Sequence, residues 1–175
     1  MPRYPERLEI VGASLERWDA AKHTDGLAAV CADRDVMACL GGPMGRAAAA
    51  ELSARLDDHW DVFAFGLWAV VADGEVTAGF AGACRALWHP EHRDATEIGW
   101  RLGRWSWGRG FATSGGRAAA AAAFRELGLA EVVAFVHPGN ARSIAVAERL
   151  GMTFAGMTDD RTLSERIRMY RLAAG

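Results

Sequence analysis

Between residues 96 and 136 the sequence leaves little choice of local structure. An alternating stretch, Thr96-Glu97-Ile98-Gly99-Trp100-Arg101-Leu102, is followed by Trp107-Gly108-Arg109-Gly110-Phe111-Ala112-Thr113. Residues 113–127 then carry an unbroken alanine run at 118–123 with Phe124 and Leu127 as anchors, and residues 131–136 form a β-branched and aromatic run. The order is strand, glycine loop, helix, buried strand, with Gly128 placed where a left-handed residue ends a helix. Pro138-Gly139-Asn140 stops the second strand, and a further helix is expected over residues 141–150.

The flanks extend one sheet on both sides. Residues 7–11 alternate as a short strand, residues 18–32 and 45–60 read as helices separated by Gly41-Gly42-Pro43, and residues 66–72 and 75–82 flank Asp73-Gly74 as a hairpin with a two-residue turn. Residues 88–94 read as a loop, and residues 152–156 and 166–172 as the last two strands. Helices and strands alternate unevenly, which argues for a mixed sheet with helices on its faces. A length of 175 residues with 51% apolar content suits a single domain over residues 1–175.

Composition excludes several classes. A net charge of −2 supplies no basic field for nucleic acid. Cys31, Cys39 and Cys84 are odd in number and lack a C-x-x-C spacing, so no disulfide framework or thiolate metal site is expected. The charged start has no apolar core of a signal peptide, and no apolar run is long enough to span a bilayer. The expected setting is the cytoplasm, without membrane, metal or nucleic acid as partner.

The glycine loop points to an anion. Gly108 and Gly110 remove the Cβ atoms that keep a ligand from the backbone, and the N–H groups of the loop and first helical turn converge at the positive end of the helix dipole. Pyrophosphate is the natural occupant, with Arg109 as a side-chain cation. A tight turn needing two glycines would give the same text. No Gly-x-x-x-x-Gly-Lys-[Ser/Thr] occurs, and no Gly-x-Gly-x-x-Gly opens an early strand-helix unit.

The segment from Trp107 to Ala112 resembles the cofactor motif [Gln/Arg]-x-x-Gly-x-[Gly/Ala] of the GCN5-related N-acetyltransferases, matching at Gly110 and Ala112. Trp107 departs from its first position, as in the branch resembling ribosomal-protein alanine acetyltransferases, where Trp-Gly-x-Gly-[Tyr/Phe]-Ala-Thr is frequent. A second match runs from Val136 through Asn140, Arg142 and Ser143 to Leu150-Gly151-Met152, and residues 33–43 and 65–70 look like the branch's N-terminal region.

The resemblance implies an α/β fold of the α+β kind: one mixed, mostly antiparallel sheet of six to seven strands, splayed between strands 4 and 5, with about four helices. It implies acetyl-CoA as cofactor, held by Ile98, Gly99, Trp100, Trp107, Gly108, Arg109, Gly110, Phe111, Ala112, Thr113, Asn140 and Ser143. The acceptor would be a primary amine, either a peptide N-terminus or a small molecule, attacking directly in a ternary complex. A homodimer is left open.

Glu97 is the candidate general base, given a carboxylate whose burial raises its pKa. Its alternative is a strand-end residue, solvated or paired with Arg101 or Arg104. Many members use Tyr as acid seven residues after the Asn, but Ala147 stands there, which leaves Ser143 as the nearest hydroxyl. Ser143 and Asn140 could equally serve the first turn and cap of their helix. The missing Tyr keeps a non-catalytic acyl-CoA-binding module as the alternative function. His89 and His92 read as a solvated loop bordering the acceptor cleft, Cys84 as a small buried hydrophobe, and Asp159, Asp160 and Glu165 with their arginines as a solvated turn. Acceptor choice is expected to lie in residues 41–46 and 87–94.

Overall fold

The computed structural model describes residues 4–175, so residues 1–3 of the charged start lie outside it. Eight strands form one sheet: β1 (Arg7–Ile10), β2 (Ala13–Arg17), β3 (Leu67–Ala72), β4 (Val76–Arg85), β5 (Thr96–Leu102), β6 (Glu131–Val136), β7 (Thr153–Asp160) and β8 (Glu165–Ala173). Their order is β1-β2-β3-β4-β5-β6-β8-β7. Every neighbouring pair is antiparallel except β5 and β6. The helices are α1 (Ala20–Ala32), α2 (Arg34–Met37), α3 (Arg46–Phe63), α4 (Phe111–Glu126) and α5 (Ala141–Arg149).

The expected α/β sheet is present, with eight strands where six to seven were expected. The N-terminal extended segment contains a turn at Gly12, whose φ of +80° a residue with a Cβ rarely adopts. It folds residues 7–17 into a hairpin with Leu8 opposite Leu15. That extra strand moves the splay in the count. β4 and β5 pair in register from Gly79↔Leu102 to Arg85↔Thr96. The sheet opens between β5 and β6, the fourth and fifth strands of the sequence reading, which share the single pair Glu97↔Val133.

The β3–β4 hairpin closes on three residues rather than two, with Asp73, Gly74 and Glu75 all at positive φ and Ala72 opposite Val76. α2 was not expected. Asp33 makes it by ending α1 and capping α2, its Oδ1 accepting from the N–H groups of Asp35 and Val36.

Side chains alternate along β4 and β5, so the two faces receive different helices. Trp18, just before α1, meets Phe80 edge-on at 6.3 Å, and Trp18 Nε1 donates to Ser53 of α3 at 3.0 Å. α1 and α3 therefore cover the Phe80 face. α4 lies on the other, so close that a Cβ on Gly115 would stand 2.6 Å from that of Ala81. The alanine face of α4 permits this approach, and Ala119, Ala120, Ala122 and Ala123 are buried there. Tyr4 stacks on Trp68 at 4.7 Å, both buried, each ring contributing about 2–3 kcal/mol through burial.

Candidate active site

The glycine loop ends as an open anion cradle. Gly108 and Gly110 sit at φ of +77° and +80°, and a Cβ at either would meet nothing within 4 Å. Gly110 is the N-cap of α4 and no side chain caps that helix, whose first backbone bond runs from Ser114 N to Gly110 O at 2.9 Å. The N–H groups of Phe111, Ala112 and Thr113 precede that bond and suit an anion. Trp107 anchors the loop by donating from Nε1 to Leu102 O at 2.9 Å. These residues fit the pyrophosphate of coenzyme A.

Arg109 departs from expectation. Its guanidinium grips Asp73 of the β3–β4 turn with both Nη atoms and lies 4.6 Å from the Phe111 ring. The side chain is thus paired with Asp73 of the turn, and its backbone N–H stays in the loop. A second cation, Arg142 of α5, lies 4.2 Å over the Trp107 ring.

Beyond Glu97 the β6-facing edge of β5 is without a strand partner, and Ile98, Gly99 and Trp100 lie along that opening. Trp100 Nε1 donates to Ser143 Oγ at 3.2 Å, linking β5 to α5. Ser143 N donates to Asn140 Oδ1 at 3.1 Å, so Asn140 caps α5. Its amide nitrogen makes no hydrogen bond among the described residues and faces no competing role. Ala147, where a Tyr was sought, is fully buried.

Glu97 is half-buried rather than at a fully solvated strand end, and no arginine pairs with it among the described residues. Arg104 holds Asp35 at 2.7 Å and Asp33 at 3.4 Å, while Arg101 contacts two sulfur atoms. The partner of Glu97 is Trp88, whose Nε1 donates to Oε2 at 2.8 Å. Burial pushes the carboxyl up to about 7; the indole bond opposes this, and the nearby Asp160 carboxylate adds to it. Cys84 stands opposite Glu97 across the β4–β5 ladder, and burial pushes its thiol well above the usual range, so it stays neutral and a weak nucleophile.

The loop carrying Trp88 is docked rather than solvated at His89. The imidazole is 1% exposed, stacks on Phe135 at 4.9 Å and shares a 3.1 Å hydrogen bond between Nε2 and Thr158 Oγ1 of β7. Burial holds it below its usual pKa, with His92 acting in the same direction. Asp160, expected in a solvated turn, is 8% exposed and accepts from the N–H groups of Thr162 and Leu163 at 2.8 and 3.1 Å. That turn reaches across the site: a Cβ on Gly41 would lie 3.1 Å from Leu163 Cδ2, and Arg161 pairs with Glu91 at 3.5 Å.

Trp88 as the donor to Glu97, Asp160 as its second carboxylate and Arg101 on the same strand face escaped sequence reasoning. Only the strand alternation of residues 97, 99 and 101 signalled the last.

An opened mixed sheet with a glycine cradle below the opening is the architecture of acyl-coenzyme A transferases, and residues 14–153 match the family model for the acetyltransferase (GNAT) domain. The chain belongs to the GNAT acetyltransferase family, whose acyl donor is acetyl-CoA. Among solved structures, the acetyltransferase from Agrobacterium tumefaciens superposes with a TM-score of 0.80 at 24% identity, over 96% of this chain and 94% of that one. The Microcin C7 self immunity acetyltransferase MccE, in complex with acetyl-CoA and AMP, gives 0.76 at 14% identity over 99% of both. These likenesses concern the fold.

Two curated relatives match in part. The uncharacterized protein YkkB of Bacillus subtilis is 34% identical over 90 residues, 51% of this chain and 51% of its own. The FsC-acetyl coenzyme A-N(2)-transacetylase of Aspergillus fumigatus is 36% identical over 97 residues, 54% of this chain and 39% of its own. The match thus spans about half of the first relative and about two fifths of the second. Among the described residues no helix is long and apolar enough to cross a membrane.

Proposed function

We propose that this chain is a cytoplasmic N-acetyltransferase that moves the acetyl group of acetyl-CoA to a primary amine by direct attack in a ternary complex. The observation that carries the proposal is Glu97: an enclosed carboxyl with a pKa near 7, one pair away from where β5 and β6 part and on the strand leading to the glycine cradle. A base of that strength is half ionised at neutral pH, where it takes a proton from an ammonium most usefully. The N(2)-transacetylase relative and the acetyl-CoA bound to MccE agree in acceptor atom and donor. Three free cysteines suit a reducing compartment.

Acetyl-CoA, when bound, supplies an acyl group already activated as a thioester. The chain's residues do the rest. Backbone N–H groups from Gly108 to Thr113 hold the pyrophosphate, Arg109 contributing through its amide. Asn140, through its amide nitrogen, and the unpaired edge at Ile98, Gly99 and Trp100 hold the arm and carbonyl. Glu97 Oε1, the oxygen Trp88 leaves free, accepts the proton of the incoming amine. Ser143 Oγ receives the Trp100 N–H as acceptor, so its own proton remains available for the departing sulfur.

The test is calorimetric titration with acetyl-CoA, coenzyme A and ATP, followed by thiol release against amines and N-terminal peptides. Tight binding of acetyl-CoA over ATP with amine-dependent thiol release is the expected result. Binding without release from any amine would replace the enzyme with an acyl-CoA-binding module.

A further inference from the structure

Four residues beyond Glu97, on the same strand face, stands a cation without a counter-ion. Alternation along β5 puts Glu97, Gly99 and Arg101 on the side that α1 covers. The Arg101 guanidinium lies 5.3 Å from the Phe80 ring, and its Nη1 donates to Cys31 Sγ at 3.4 Å and Met44 Sδ at 3.9 Å. Thiol and thioether sulfur are weak acceptors for a group with five donors. Its Nε is buried with no hydrogen-bond partner among the described residues. The nearby acids Asp33 and Asp35 are taken by Arg104.

A half-buried charge in such surroundings is costly unless an anion joins it. Between the two ionisable groups the floor is bare: a Cβ on Gly99 would meet only Leu67 Cδ2, at 3.6 Å. The Cα atoms of residues 97 and 101 are about 13 Å apart along an extended strand. Allowing about 3 Å at each end for hydrogen bonds leaves about 7 Å, the length of two extended residues.

We infer that Arg101 is the anion-binding end of the acceptor site, and that the acceptors are amines carrying a carboxylate about two residues from the nitrogen, as in a free dipeptide. The planar guanidinium takes the carboxylate through Nε and Nη2, while the amine lies at Glu97. A polyamine would instead bring a second ammonium against Arg101. This inference rests on the acetyltransferase reading and narrows its substrate.

The test is calorimetric titration of Ala-Ala and of its C-terminal amide into the full chain saturated with coenzyme A, for wild type, Arg101→Met and Arg101→Lys. Wild type is expected to bind the acid about ten-fold or more tightly than the amide, the worth of a charge-assisted contact. Arg101→Met removes that preference by weakening the acid alone, and Arg101→Lys retains part of it, with coenzyme A affinity the same in all three. Equal affinity for acid and amide in wild type, or equal loss of both in Arg101→Met, overturns the inference. If coenzyme A binds and both peptides release thiol equally well, the transferase reading survives and Arg101 falls; if coenzyme A does not bind, both fall.

Discussion

Trp88 Nε1 donates to Glu97 Oε2 at 2.8 Å, tying a loop residue that is 39% exposed to a carboxyl enclosed at the end of β5. The bond does two things at once. It fixes which carboxylate oxygen is free, and it holds the pKa below the level that burial alone would set. The loop owes its position to His89, buried between Phe135 and Thr158. Trp88 is therefore a positioning residue for the proposed base.

Replacing Trp88 with Phe keeps the ring and removes the donor. The Glu97 pKa should rise above 7, so the rising limb of the pH–rate profile moves to higher pH. Turnover at pH 7 should fall by about five-fold and recover near pH 9, as expected for a base needed in its ionised form. An unmoved limb would separate Trp88 from the base.

Glu97→Gln should abolish that limb and lower turnover by about 100-fold or more, with acetyl-CoA affinity retained. It should also stabilise the fold in a defined window. A carboxyl whose folded pKa is about 7 against a model value of 4.5 binds its proton more tightly when folded. Stability in wild type is thus lost as pH rises from about 4.5 to about 7, by roughly 3 kcal/mol. Urea denaturation at pH 8 should show Glu97→Gln the more stable, and at pH 4.5 the two should coincide. Equal stability at pH 8 would mean the carboxyl is not desolvated.

Gly110→Val and Gly128→Val form a matched pair. Both glycines have positive φ, +80° and +65°, and open space at the Cβ position. Each substitution should cost about 1–2 kcal/mol of stability through backbone strain. Only the first should weaken acetyl-CoA binding, by more than about ten-fold, because only its side chain enters the cradle. Equal affinity in both variants, measured calorimetrically, would move the phosphate site elsewhere.

Arg109→Ala should change acetyl-CoA affinity by less than about three-fold, since an exposed side chain already spent on Asp73 has little to lose at the cofactor. A loss of ten-fold or more would show that the pair with Asp73 opens for phosphate.

The elements read most closely from sequence are those bounded by local signals. β5 and β6 coincide with the expected residues 96–102 and 131–136, because apolar alternation and a β-branched run stand between glycine, proline and polar stops. The cradle was legible for the same reason: its two glycines declare their backbone. What escaped depends on residues far apart in the chain. Nothing near Arg109 announces Asp73, 36 positions away. His89 reads as a loop histidine until β7 brings Thr158 to it, 69 positions on. The extra strand went unread because Gly12 folds back a segment whose second half, residues 13–17, lacked a clear alternation.

The turn that places Leu163 over Gly41 and Arg161 beside Glu91 brings together three loops from different thirds of the sequence. The glycine loop, by contrast, lies in one continuous run from β5 into α4. The two can therefore change at different rates. On the proposed assignment, substitutions in any of the three loops would reshape what is presented to Glu97 without disturbing the glycine loop, so descendants of one ancestral chain could exchange acceptors while keeping the same acetylating end.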